Sequence, residues 1–235
     1  IENNADITIA VKRVLLNKDA ASRNVIIDAD PEGRIVDINP YPTNVNGYRD
    51  IDLNILVINR DYLQSVVVDA IAHGYTSFNR DVIARNTSRR NFRIYKYDGY
   101  FANIGSLADY YSHSMELLGT PENRDEIFGI KTRPIYTKVR NSAPTRYAES
   151  SVVKNSLVAD GCIIDGTVEN SIIFRGVKIS RGATVKNSIL FQDTVIGENV
   201  FLNCVITDKN VVIRDGRILS GHETLPFFVE KGKMI

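Results

Sequence analysis

The stretch from Ser150 to Gly176, SSVVKNSLVADGCIIDGTVENSIIFRG, opens a pattern that runs on to Gly216. Apolar pairs recur along it: Val152-Val153, Leu157-Val158, Ile163-Ile164, Ile172-Ile173, then Ile189-Leu190, Val195-Ile196, Val205-Ile206 and Val211-Val212. Small or turn-forming residues separate them, among them Gly161, Gly166, Gly176, Gly182, Asn199 and Gly216. From Gly161 to Gly216 there are ten steps in 55 residues, a mean spacing of about 5.5. A helix repeats near 3.6 and a strand near 2, so neither explains the pattern. A sandwich of antiparallel strands places its turns every 8–12 residues, which is too long. The spacing fits a hexapeptide repeat, in which three short units build one triangular coil and the coils stack to bury their apolar side. Ile163, Val168, Ile173, Leu190 and Val195 are the expected inward residues, and eleven units make between three and four coils.

Working outward, the preceding 118 residues alternate strand and helix signals. Ile7 to Leu16 is β-branched and apolar. Asn24 to Ala29 and Arg34 to Ile38 flank Asp30-Pro31-Glu32-Gly33, a turn tetrad, and so read as a hairpin. Leu53 to Ile58 is a further strand. Asp61 to Ala72 carries apolar residues at helical spacing and stops at Gly74. Phe78 to Arg85 reads as a short helix, Phe92 to Tyr97 as a strand. Ser106 is the expected N-cap of a helix to Leu118, closed by Gly119. Thr120 to Arg133 is polar and reads as a linker. The expected architecture is therefore α/β plus all-β. Residues 1–118 form part of an α/β layer, 119–135 a linker, and 136–235 the hexapeptide domain. The α/β part has too few strands for a complete doubly wound sheet, and the chain begins without Met, so the expectation is a piece of something longer.

Composition narrows the function classes. The net charge of +1 over 235 residues gives no bulk electrostatic reason to expect nucleic acid or a membrane surface. No apolar run approaches the ~18 residues of a membrane span. Cys162 and Cys204 both lie in the repeat and read as small buried residues of a reducing cytosol, with a disulfide left open. The histidines His73, His113 and His222 stand apart from any cysteine or carboxylate cluster, so a hexapeptide acyltransferase with a catalytic histidine ranks last. Arg175 and Lys178 are candidates for an anionic effector, against the plainer reading of exposed corner charges. The cluster Arg80, Arg85, Arg89, Arg90 and Arg93 reads as a solvated face.

Three pieces carry a family resemblance: Gly99 to Ser106 (GYFANIGS), Pro134 to Thr137 (PIYT), and Glu149 through Gly176. With the α/β half, helix, linker and repeat in this order, the chain resembles bacterial glucose-1-phosphate adenylyltransferase (ADP-glucose pyrophosphorylase). The resemblance implies a Rossmann-like nucleotidyltransferase α/β domain, here represented by its second half, followed by a left-handed β-helix that supports tetramer assembly and effector response. It also marks departures. Where catalytic members have Glu-Glu-Lys-Pro, this chain has Asn39-Pro40-Tyr41-Pro42, without the Lys that grips the sugar phosphate. Where they have Ser-Met-Gly it has Asp52-Leu53-Asn54, and a negative charge opposes phosphate binding. Where they have Trp-Lys-Asp-Val-Gly it has Phe101-Ala102-Asn103-Ile104-Gly105, and a neutral amide replaces the Mg²⁺ carboxylate. The implied vestigial pocket is Asn39, Tyr41, Asp52, Leu53, Asn54 and Asn103, with no working catalytic residue and no metal site. The expected protein is a cytoplasmic regulatory subunit that joins a catalytic subunit, itself, or both in a tetramer and binds no cofactor in this part. The alternative is an active Mg²⁺-dependent sugar-1-phosphate nucleotidyltransferase.

Overall fold

A computed structural model describes residues 4–16, 23–40, 42–139 and 141–235. Tyr41 lies outside them. The chain divides into two compact units, Ile1–Gly99 and Tyr100–Ile235.

The first unit is an α/β layer built on a five-stranded sheet. Its strands are β1 (Ile7–Leu16), β2 (Val25–Ala29), β3 (Ile35–Pro40), β4 (Gly47–Ile58) and β5 (Phe92–Lys96), in the order β3-β2-β4-β1-β5. β1 runs antiparallel to β4 and parallel to β5. β2 and β3 form the expected hairpin, in which Gly33 N–H donates to Asp30 O (3.0 Å) with Gly33 at φ +81°. Glycine takes that left-handed conformation without a Cβ clash. β4 starts at Gly47, well before the Leu53 expected from sequence. Its first half, Tyr48 to Asp52, has no apolar alternation. It becomes a strand because β1 supplies a complete partner edge, with Leu16 opposite Gly47 and Val11 opposite Asp52.

One face of this sheet carries the core. Ile7, Ile9, Val11, Ile27, Ile35 and Phe92 are buried there, under Tyr62 and Val66 of helix α1 (Arg60–His73) and Ile83. The side chain of Asn59 caps α1 by accepting from Asp61 N–H (2.9 Å) and Tyr62 N–H (3.3 Å), and Gly74 closes it at φ +65°. A π-helical turn over Phe78–Ile83 then runs into the short helix α2 (Ala84–Asn86).

The second unit is a parallel β-solenoid of three five-stranded sheets. The first stacks β6 (Arg146–Tyr147), β9 (Ile163–Ile164), β12 (Lys178–Ile179), β15 (Val195–Ile196) and β18 (Val212–Ile213). The second stacks β7 (Val152–Lys154), β10 (Thr167–Glu169), β13 (Thr184–Lys186), β16 (Phe201–Asn203) and β19 (Ile218–Ser220). The third stacks β8 (Leu157–Val158), β11 (Ile172–Ile173), β14 (Ile189–Leu190), β17 (Val205–Thr207) and β20 (Phe227–Val229). The corners form columns of left-handed backbone: Asn155, Asn170, Asn187 and Cys204 in one, Gly161, Gly176, Asp193 and Asn210 in another. Asn adopts this conformation more readily than most residues with a side chain, which explains why Asn and Gly predominate at these corners. Within the first column Asn155 Nδ2 donates to Asn170 Oδ1 (2.8 Å). Beside it a serine ladder satisfies the turn amides: Ser171 N–H donates to Ser156 Oγ (3.2 Å), Ser188 N–H to Ser171 Oγ (3.1 Å) and Val205 N–H to Ser188 Oγ (3.1 Å).

The inward register differs from the expected one on the first sheet. Val168, Ile173 and Leu190 are buried as expected. Ile164 and Ile196, rather than Ile163 and Val195, fill the interior. The parallel register explains this. Ile163 and Val195 both align with Lys178, so that column faces water, while Ile164, Ile179, Ile196 and Ile213 stack inside.

Two helices precede the solenoid strands in this unit. Ser106 Oγ accepts from Asp109 N–H (3.1 Å) and caps α3 (Leu107–Gly119), which ends one residue later than expected, with Gly119 inside it and Thr120 as its C-cap. The sequence groups this helix with the α/β half. By packing it goes with the solenoid: Tyr111 is buried against Ile189, Cys204 and Ile206 on the outer side of the third sheet. The stretch read as linker contains helix α4 (Pro121–Phe128), with Pro121 in its first turn. Proline fits there because its missing N–H would have no helical partner. Its residues are polar, so its periodicity is silent.

Candidate functional site

Three of the candidate residues of the α/β unit, Asp52, Leu53 and Asn54, lie at an irregularity in β4. Ile9 lies opposite Leu56, and Val11 opposite Asp52, so β4 carries a bulge at Leu53, Asn54 and Ile55. Asn54 sits in it at φ +61°. That position is matched by the resemblance to the glycine of Ser-Met-Gly, and the backbone conformation is one that glycine favours. Asp52 Oδ1 accepts from Asn54 N–H (2.8 Å), which locks the bulge from within. Burial pushes the Asp52 carboxyl above its ordinary range. The hydrogen bonds from Asn54 N–H and the Asn79 side chain pull the other way without cancelling it. Leu53 is buried.

Asn39 lies on β3 opposite Ile26, which in turn lies opposite Ile51 of β4. Successive residues of a strand face opposite sides, so Asn39 shares the side of Ile51, while Asp52 shares that of Val11. Asn39 and Asp52 therefore do not converge on one face. Asn103 is an exposed residue of the second unit, just before the cap of α3.

Four of the five clustered arginines, Arg80, Arg85, Arg90 and Arg93, make contacts within the α/β unit, and Arg80, Arg85 and Arg90 remain largely exposed, as expected of a solvated face. Asp81 is buried, accepts from Thr76 N–H (3.1 Å) and Ser77 N–H (3.0 Å), and binds Arg80 Nε (3.1 Å) and, more loosely, Arg85 (3.6 Å). The Arg80 guanidinium and then these amides hold its carboxyl well below the usual carboxylate range. Arg90 lies 4.7 Å over the Tyr62 ring and Arg93 Nη1 donates to Glu32 O (2.9 Å).

On the solenoid, Arg175 Nε bonds Asp160 Oδ1 (2.7 Å) and its Nη1 donates to Lys138 O (3.2 Å). It thus ties one coil to the next across a corner. Lys178 is exposed on β12 in the outward column. Neither lines the cavity of about 460 Å³ that opens at another corner, between Ser150, Asp165, Arg181, Glu198 and Asn199. The sequence missed it. The clue was the recurrence of a charged residue once per coil at Asp165, Arg181 and Glu198, which only a coil length of about 16 residues turns into a column. One cation beside two carboxylates makes it a poor anion site. His73 contacts Asp69 (3.0 Å), His113 contacts Glu116 (3.2 Å) and His222 contacts Thr224 (3.0 Å). Among the described residues no three His, Cys, Asp or Glu side chains gather as a metal-binding group, and no helix is long and apolar enough to cross a membrane.

This arrangement has relatives. Residues 141–223 match the family described as GlmU-like, C-terminal hexapeptide. The chain is 38% identical over 180 residues to the glycogen biosynthesis protein GlgD of Bacillus subtilis, covering 77% of this chain and 52% of that protein. It is 41% identical over 219 residues to GlgD of Geobacillus stearothermophilus, covering 82% and 63%. It is 31% identical over 232 residues to the glucose-1-phosphate adenylyltransferase of Acetivibrio thermocellus, covering 96% and 52%. The chain belongs to the glucose-1-phosphate adenylyltransferase family. It spans about half the length of the curated relatives it matches, and identity extends through the α/β unit as well as the repeat. Within the family, it is similar both to members named as transferases and to members named only for glycogen biosynthesis.

Proposed function

We propose that this chain is part of a non-catalytic regulatory subunit of ADP-glucose pyrophosphorylase, acting in bacterial glycogen synthesis in the cytoplasm. Its work is to join a catalytic glucose-1-phosphate adenylyltransferase, in a tetramer, and raise that partner's activity. The observation that carries this reading is the bulge at Asp52-Leu53-Asn54. The backbone at Asn54 has a glycine-type conformation at the position that the resemblance matches to the glycine of Ser-Met-Gly, which supports this reading. Its chemistry differs from that of the catalytic members: by the resemblance, a half-buried carboxylate at Asp52 stands where they have the Ser of Ser-Met-Gly. Phosphoryl chemistry depends on cations and metal at the developing charge. An acid at that place, an amide at Asn103 and a phenol at Tyr41 all work against it. The GlgD relatives, named for glycogen biosynthesis, agree with such a role. The arginine Arg175 is bound to Asp160, so an effector would have to displace that carboxylate.

The test is to purify the full-length protein and a catalytic glucose-1-phosphate adenylyltransferase from the same organism, alone and mixed. ADP-glucose formation is then measured with Mg²⁺. The expected result is negligible activity alone, together with increased activity of the mixture over the catalytic protein alone. Full activity of this protein alone would establish instead the transferase reading.

A further inference from the structure

The corners of the solenoid are joined by backbone ladders. At a left-handed corner the N–H donates to a carbonyl of the coil before, as Asp193 does to Arg175 O (3.0 Å) and Asn187 to Glu169 O (3.1 Å). The corner column that follows the first sheet has a break. Asn199 N–H donates to Arg181 O (3.2 Å) and Gly216 N–H to Glu198 O (2.8 Å). Gly182 takes the same conformation, at φ +74°, yet its N–H has no partner among the described residues. Corner length explains the break. Four residues join Tyr147 to Val152, Ile179 to Thr184 and Ile196 to Phe201. Between the aligned Ile164 and Thr167 there are two, Asp165 and Gly166. This short corner sinks against the next coil, where a Cβ on Gly166 would lie 2.5 Å from Ala183 O. The space that a full corner would fill is the cavity of about 460 Å³ between Ser150 and the Arg181-Gly182 turn.

We infer that this notch binds a small zwitterion of the α-amino-acid type, whose carboxylate stands in for the missing corner carbonyl. The carboxylate accepts from Gly182 N–H and from the Arg181 guanidinium, whose planar fork suits a carboxylate. The ammonium lies against Asp165 and Glu198. Asp165 Oδ1 accepts from Ser150 Oγ (2.6 Å), which leaves its second oxygen for the ligand. Arg181 and Glu198 line the notch without an ion pair among the described residues. The charges select the ligand class. A simple anion would meet two carboxylates, and a simple cation would meet the guanidinium. A zwitterion offers each group its opposite and adds no net charge. The volume falls in the range of small-molecule sites, so a side chain fits beside the head group. All of these walls belong to neighbouring coils of one solenoid, and the inference stands whether or not the protein is catalytic.

The test is equilibrium dialysis of the full-length protein with the common L-amino acids, each radiolabelled. Labelled acetate and ethylammonium carry the two charges separately. The expected result is saturable binding of at least one amino acid at millimolar concentration or below, with acetate and ethylammonium each at least about tenfold weaker. Arg181→Gln and Glu198→Gln should each weaken the binding at least about tenfold, the loss of one charged hydrogen bond. Both side chains are exposed, so circular dichroism and the melting curve should not change. Replacing Asp165-Gly166 with Ser-Arg-Gly-Ala, the sequence of the next corner, supplies the carbonyl and fills the notch. That variant should bind no amino acid and melt no lower than the parent protein. Absence of saturable binding by every amino acid would overturn the inference and leave the notch to water. So would binding that survives both Arg181→Gln and Glu198→Gln, or acetate that binds as tightly as the amino acid.

Discussion

Ile196→Ala and Val195→Thr together test the solenoid register. Ile196 is fully buried between Ile179 and Ile213 on neighbouring coils. Both neighbours are held by their own strands and cannot collapse into the space. Removing three carbons from such a site costs the lost transfer energy and a cavity, about 2–5 kcal/mol. Each kcal/mol lowers the melting temperature of a domain this size by roughly 3–4 °C, so Ile196→Ala should lower it by about 10 °C. Val195 shares the outward column of Lys178. Val195→Thr keeps the β-branched shape and adds a hydroxyl that water can satisfy, so its effect should stay within about 0.5 kcal/mol. Were Val195 the inward residue, the hydroxyl would be buried without a partner at a cost of about 1–3 kcal/mol. Differential scanning calorimetry of the whole chain resolves the two cases. A Val195→Thr penalty equal to or larger than that of Ile196→Ala would refute the register.

Three further outcomes are expected. Asp81 has its carboxyl held below the ordinary range, so its contribution is complete above about pH 4, the range of a free carboxylate, and is lost as pH falls toward the folded value. Asp81→Asn should therefore lower the melting temperature of the α/β unit at pH 7 and weaken its acid dependence between pH 4 and 2, followed by circular dichroism. Asp52 has the opposite sign: its folded value is raised, so its protonated form fits the fold better and stability is lost as pH rises through that value. Asp52→Asn, which can still accept from Asn54 N–H, should raise the melting temperature at pH 7 and change it little at pH 3; a drop at pH 7 would contradict the burial argument. In the full-length protein, Asn103→Asp with Tyr41→Lys should restore measurable Mg²⁺-dependent ADP-glucose formation far beyond either change alone, because metal and cation act on the same transition-state charge. A double variant that binds no glucose 1-phosphate by calorimetry would mean that the pocket is absent.

The solenoid was legible because a repeat multiplies a weak signal. A single pair such as Ile163-Ile164 is ambiguous, but ten evenly spaced steps admit one explanation, and the corner asparagines and glycines fall where the backbone turns left-handed. Order within each pair was not legible from spacing, since a pair offers two inward choices. Stacking decides it: only when Ile163, Lys178 and Val195 become neighbours across coils does the lysine show which column meets water. The hairpin, α1 and the cap of α3 followed from local chemistry at Gly33, Asn59, Gly74 and Ser106, which act within a few residues of themselves. The first half of β4 and helix α4 did not, because their residues are mostly polar and their structure depends on a partner strand or on a helix start at Pro121.

The candidate site divides along the same line. Sequence alone determined that Tyr41 and Asn103 stand where the resemblance would place a lysine and a metal carboxylate. Tertiary structure decided that Asp52-Leu53-Asn54 is a bulge with a glycine-type turn, that Asn39 and Asp52 face opposite sides of the sheet, and that Arg175 already has Asp160 as its partner. The same holds for the exposed Leu63, Val67 and Ile71 of α1, whose helical spacing the sequence shows equally well for a buried face. Periodicity reports that a side is apolar; whether anything covers it depends on contacts between residues far apart in the chain, and those exist only once the chain has folded.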